Sequence, residues 1–108
     1  MAKIEEGKYY VDGEGFYKCL EITTQENTLK KFAIMAAVIT SDFHVTIYKR
    51  STYVVEACER RMVECSAEDY NYALEQAECF INKMYEFNTK VFNPLWENKD
   101  SNNGKEEV

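Results

Sequence analysis

The chain has 108 residues and carries 19 acidic against 13 basic side chains, a formal charge of −6. That length suits one domain with a core large enough to need neither disulfides nor a structural metal. The negative field works against direct binding of nucleic acid or anionic membrane and favours a protein partner with a basic surface. The first ten residues, MAKIEEGKYY, hold no apolar stretch of signal-peptide length. The longest apolar run, residues 32–39, is too short to cross a bilayer, so no membrane insertion and a cytoplasmic location are expected. Four cysteines, Cys19, Cys58, Cys65 and Cys79, lack CxxC spacing and read as reduced thiols.

Residues 8–22, KYYVDGEGFYKCLEI, read as a β-hairpin, because aromatic and β-branched residues flank an Asp-Gly turn signal at Asp12 and Gly13. On its second strand Phe16, Leu20 and Ile22 are expected on one face, with Tyr17 and Cys19 on the other. Residues 24–40, TQENTLKKFAIMAAVIT, read as a helix with Leu29, Phe32, Ala33, Ala36 and Ile39 on neighbouring turns. The competing reading makes residues 32–39 a fully buried strand. Residues 43–48, FHVTIY, alternate as a strand with Phe43, Val45 and Ile47 on one side. A second hairpin is then expected, with Lys49–Ser51 as its turn and residues 52–58 returning. Residues 62–65 suit a short further strand. Val54, Val55, Cys58, Met62 and Cys65 also fit one face of a helix, on which Glu56 with Arg60 and Arg60 with Glu64 form i,i+4 pairs.

From Ser66 to about Phe92 the spacing predicts one long amphipathic helix. Ser66 is a natural N-cap, and Asp69 stands three residues on. Tyr70, Ala73, Leu74, Ala77, Ile81, Met84, Asn88 and Val91 share a face expected to meet the body of the molecule, flanked by Phe80, Tyr85 and Phe92. Pro94 ends the run. Residues 97–108 lack apolar residues before the terminal valine and are expected to form a disordered tail, leaving residues 1–96 as a single domain. The predicted class is α+β: an antiparallel sheet of two hairpins packed by helices, in the order β-β-α-β-β-(β)-α. A helix of ~26 residues spans about 39 Å, against a radius of gyration near ~13 Å for a domain of ~100 residues. Its far end, with Val91, Phe92, Leu95 and Trp96, therefore needs a second surface, and a homodimer is expected. A break at Asn88 and Thr89 that folds the arm back is the alternative.

The inventory for catalysis is thin, and no enzyme activity, cofactor or metal is expected. His44 is the only histidine, and the cysteines sit on four separate segments, unlike the paired positions of structural zinc sites. Gly13-Glu14-Gly15 lacks the third glycine of a phosphate loop, and Glu14 would repel a phosphate. Cys79 falls on the outward face of the long helix, where neighbouring Glu75 and Glu78 argue against a reactive nucleophile.

Two surface features remain. Glu64, Glu68, Asp69, Glu75 and Glu78 give the long helix an acidic flank with no compensating base until Lys83. Strand aromatics Tyr9, Tyr10, Phe16, Tyr17, Tyr48 and Tyr53 lie near Lys18, Lys49 and Arg50. The first feature suggests a regulatory, protein-binding module whose contact residues are Glu68, Tyr72, Glu75, Glu78, Cys79, Leu95 and Trp96. Its sharper form is an inhibitor that occupies the nucleic-acid groove of a partner, as small acidic phage-encoded antagonists do. Glu75 and Glu78 rise about 4.5 Å apart along a helix, comparable to the ~3.4 Å per phosphate of one DNA strand. The second feature suggests single-stranded nucleic acid stacked on an aromatic sheet, which requires a positive patch around Lys18, Lys49 and Arg50.

Overall fold

Asp12 fixes the first turn. Its Oδ1 accepts hydrogen bonds from the backbone N–H of Glu14 at 2.8 Å and of Gly15 at 3.0 Å, and the Tyr17 hydroxyl donates to its carboxylate. The computed structural model describes residues 3–40, 44–92 and 94–95. Around the Asp12 turn, β1 (Tyr9–Val11) and β2 (Gly15–Thr24) pair antiparallel, as the Asp-Gly signal predicts. Then follow β3 (Lys31–Ile39), β4 (Thr46–Val54), α1 (Val55–Arg61), β5 (Val63–Cys65) and α2 (Ala67–Phe87), which continues as a π-helical turn over Asn88–Phe92. The five strands form one antiparallel sheet in the order β4-β3-β2-β1-β5. The architecture is α+β, and α1 carries the chain from one edge strand to the other.

The expected helix over residues 24–40 is not formed. Residues 25–30 make a loop closed by hydrogen bonds from Gln25 N to Lys30 O and from Leu29 N to Gln25 O, and β3 follows. The reason is burial on both faces. Ala33, Met35 and Ala37 enter one apolar cluster, while Val38 and the partly buried Ala36 enter another. A strand covered on both sides loses the polar alternation that marks half-buried strands. The buried-strand reading of residues 32–39 is therefore the correct one.

Two irregularities correct further expectations. A bulge between Cys19 and Glu21 turns Ile22 onto the Tyr17 and Cys19 face, away from Phe16. A second irregularity lets the register step from Met35–Ser51 to Ala37–Tyr48, so Lys49–Ser51 is no turn but the interior of β4. The second hairpin thus joins β3 to β4. Its expected strand residue Phe43 lies outside the described residues, while Val45 and Ile47 pack together as predicted. Residues 55–61 adopt the helical alternative, with Glu56 and Arg60 paired on the exposed side and Val55 and Cys58 buried. Residues 63–65 are the expected short strand.

By its internal contacts the chain divides into two units, residues 1–77 and 78–108. In the first, α1 and Ile4 cover one sheet face through Tyr10, Tyr17, Cys19, Met35, Cys58 and Met62. Full burial of a side chain such as Met35 or Met62 contributes roughly 1.5–3 kcal/mol. Tyr10 is buried without losing its polar partners, since its hydroxyl donates to the Lys3 carbonyl and accepts from the Glu5 N–H, both at 2.8 Å. The opposite face packs Tyr9, Phe16, Val38 and Ile47 with Tyr70, Leu74 and Ala77 of α2. Ser66 caps α2 as predicted, its Oγ accepting from the Asp69 N–H at 3.0 Å. The second unit holds the remainder of α2 and the π-helical turn, where Thr89 Oγ1 donates to the carbonyls of Tyr85 at 2.9 Å and Glu86 at 3.3 Å. Among the described residues no helix is long and apolar enough to cross a membrane.

Gly15 is where two backbones meet most closely: a Cβ there would lie inside the van der Waals envelope of the Val38 carbonyl oxygen. At Gly13 a Cβ would meet nothing within 4 Å. Gly15→Ala should destabilise the protein by ~3 kcal/mol, since a strand must shift to admit the methyl group. Gly13→Ala should stay within about 0.5 kcal/mol of the wild type. Urea denaturation of both variants checks the contrast.

Candidate partner-binding surface

Helical spacing places Glu68, Tyr72 and Glu75 in one row on the part of α2 that belongs to the first unit, each three or four residues from the next, while Cys79 belongs to the second unit. All four are exposed, Tyr72 at 66% of its surface. Glu78, also of the second unit, is exposed too. None of the ion pairs among the described residues involves Glu68, Glu75 or Glu78. Glu64, at the start of the same acidic run, differs: its carboxylate accepts from Lys8 Nζ at 3.4 Å.

Leu95 is exposed at 65% and lies in the second unit, as do Glu78 and Cys79. Trp96 lies outside the described residues, as do residues 97–108. Beyond Ala77 the apolar stripe of α2 departs from expectation. Tyr70 and Ala77 are buried, yet Ile81 and Met84 are exposed at 37% and 44%, and Phe80, Tyr85 and Phe87 are exposed too. Periodicity identified these residues as one line but could not tell what covers each stretch of it.

The strand aromatics do not form an open platform. Tyr10 and Tyr17 are buried on one face of the sheet, with the Tyr53 ring edge-on to Tyr17 at 5.7 Å. On the other face Tyr9 packs against Tyr70 at 5.3 Å between ring centroids, and Phe16 lies in the same cluster. Tyr48 is exposed. Tyr9, Phe16 and Tyr53 are half-buried, and Lys18 Nζ lies 5.7 Å from the centroid of the Tyr9 ring.

A shallow cavity of about 230 Å³ lies in the first unit, lined by Leu29, Lys30, Lys31, Val54, Val55, Glu56 and Glu59. Leu29 on its rim has φ +55° and a largely exposed side chain, an uncommon state for a branched residue. Sequence reasoning missed it because residues 24–40 read as helix. Two lysines and two glutamates give this opening no preference of charge.

The thiols divide by environment. Cys19 and Cys58 are buried, Cys65 is half-buried and Cys79 is exposed. Burial raises the pKa of Cys19, Cys58 and Cys65 above the ordinary thiol value. No group of three metal-ligating side chains converges among the described residues. No protein-family model, no curated protein and no solved structure matches the chain.

Alkylation by a neutral maleimide, followed by mass spectrometry, should modify Cys79 first and leave Cys19 and Cys58 until the protein unfolds. Equal rates at all four thiols would contradict the burial pattern. Stability should also fall on the alkaline side. Desolvation raises the phenols of Tyr10, Tyr17, Tyr53 and Tyr70 along with the three thiols. The folded chain therefore keeps protons that the unfolded chain releases, and stability is lost as pH climbs past the ordinary thiol and phenol values of about 8.5 and 10. Melting temperatures in reducing buffer should hold near neutrality and drop above about pH 9.

Proposed function

We propose that the protein is a non-catalytic, cytoplasmic protein-binding module with a regulatory role, and that it engages a partner bearing a basic surface. The observation that carries this reading is the exposed row Glu68, Tyr72 and Glu75 on the first unit's part of α2, whose two carboxylates have no cationic partner among the described residues; the exposed Glu78 and Cys79 of the second unit belong to the same proposal. Unpaired carboxylates around an exposed tyrosine combine long-range attraction with a large, rigid contact group. Charges of that kind set the rate and selectivity of encounter, while the aromatic supplies buried area on contact. Leu95 and Trp96 belong to the same proposal as a further apolar contact, and the active form is a homodimer. A narrower version makes the protein an inhibitor that fills a nucleic-acid groove on its partner. The sequence spacing of Glu75 and Glu78, three residues apart, favours that version.

Reversing Glu68, Glu75 and Glu78 to lysine should cut capture of the native partner from cell extract at least tenfold and remove its salt dependence. Tyr72→Ala should weaken it by about 1–2 kcal/mol, near tenfold. Competition by duplex or single-stranded nucleic acid supports the inhibitor version. Capture unchanged by the triple reversal would remove the acidic row from the function.

A further inference from the structure

The apolar stripe of α2 keeps an alternating four- and three-residue spacing through Tyr70, Leu74, Ala77, Ile81 and Met84, and the next step of that spacing falls on Asn88, the first residue of the π-helical turn. That is the a and d pattern of a helix seam. Its first members are satisfied within the first unit, where Tyr70 and Ala77 are buried and Leu74 is packed beside them. Its later members are exposed in the second unit, together with Phe80, Tyr85 and Phe87 on either side. We propose that this second stretch is a self-association surface, and that two copies of the chain pair along it in parallel and in register through Ile81, Met84 and Asn88. The pairing rests on the reading of α2 as a protein-binding element, and it gives the proposed homodimer a defined seam.

Three observations select a second copy as the occupant. The first is charge. Between Phe80 and Leu95 the chain carries Lys83 and Lys90 against Glu86, a balance of 2 − 1 = +1, whereas the whole chain carries −6. Lys83 and Glu86 point away from the seam by helical spacing. Two copies can therefore meet here without the repulsion that their other surfaces impose, and a basic partner drawn by Glu68 and Glu75 gains nothing from this uncharged face.

The second observation is Asn88, which falls by sequence spacing at the next a position, where α2 passes into the π-helical turn. A buried amide in an apolar seam is tolerated when its mate is an identical amide at the same level, which fixes the register and favours two strands over more. A foreign apolar groove would leave that amide unpaired. The third is area. With aromatic side chains offering ~150–250 Å² each, the exposed fractions of Phe80, Ile81, Met84, Tyr85, Phe87 and Val91 sum to roughly 600 Å² per copy. The total of about 1,200 Å² reaches the lower end of stable, specific interfaces. The α-helix gives way to the π-helical turn at Asn88–Phe92, which limits the seam to a few turns, and dissociation on the order of micromolar is expected.

Sedimentation equilibrium on the full chain, from low to high micromolar concentration, reads the association directly. The wild type should pass from monomer to dimer. The double variant Ile81→Glu, Met84→Glu should stay monomeric with an unchanged circular dichroism spectrum, because both side chains are exposed within one chain. Asn88→Ile should tighten association about tenfold and admit larger assemblies. Orientation is read by Asn88→Cys in a Cys79→Ser background, which should crosslink to itself under mild oxidation. A wild type that is monomeric throughout overturns the proposal, even if Ile81→Glu, Met84→Glu abolishes capture of another protein, since the face then serves that protein. A dimer in which Asn88→Cys does not crosslink, or in which Asn88→Ile changes nothing, overturns the parallel register. Reversal of Glu68, Glu75 and Glu78 should leave self-association intact, so failure of the acidic row and failure of the seam are separately visible.

Discussion

Burial of both faces of β3 is the constraint on which the first unit depends. Met35, Ala33 and Ala37 are satisfied only if α1 and the N-terminal segment lie over one side of the sheet. Val38 and Ala36 are satisfied only if the start of α2 lies over the other. Each element responds to that demand. Val55 and Cys58 turn α1 inward, and Tyr70 and Ala77 do the same for α2. Alanine at three positions of β3 keeps the strand thin, so that Tyr10, Tyr17 and the residues of α1 fit beside it. Among the described residues no polar or charged side chain is buried in these layers, and Tyr10 meets its hydroxyl's needs at the backbone of the N-terminal segment.

The same double burial explains which parts of the fold were legible from residues alone. The first hairpin was readable because Asp12 and Gly13 announce a turn through their own chemistry, independent of what packs nearby. The start of α2 was readable for the same reason, since Ser66 acts on a backbone N–H three residues away. Residues 31–39 were misread because their identity as a strand is decided by what lies above and below them. Lys49 and Arg50 looked like a turn, yet a bulge keeps them in the edge strand opposite Ala36. Ile22 changed faces through an irregularity at Leu20 that no alternation rule can foresee. Local chemistry was visible in the sequence, and tertiary choices were not.

For the candidate site the division is similar. The row Glu68, Tyr72 and Glu75 follows from helical period, and the structure places these side chains and that of Cys79 in solvent. The exposure of Ile81 and Met84 does not follow from period, because spacing says which side chains share a line and is silent about what covers it. Along α2, then, two kinds of free surface occur. One is negative and unpaired, suited to steering a basic partner; the other is apolar and nearly uncharged, suited to a like surface. The two proposed contacts use no side chain in common.

At the centre of this account is the claim that the two halves of α2 are held by different contacts: the first by the sheet within one chain, the second by another copy. Hydrogen exchange of individual backbone amides, followed at low and at high protein concentration, separates the two directly. Amides around Tyr70 to Ala77 should exchange slowly at both concentrations, while those around Ile81 to Phe87 should exchange quickly in the dilute sample and slow markedly in the concentrated one. Protection of the second half that is the same at both concentrations would contradict the account.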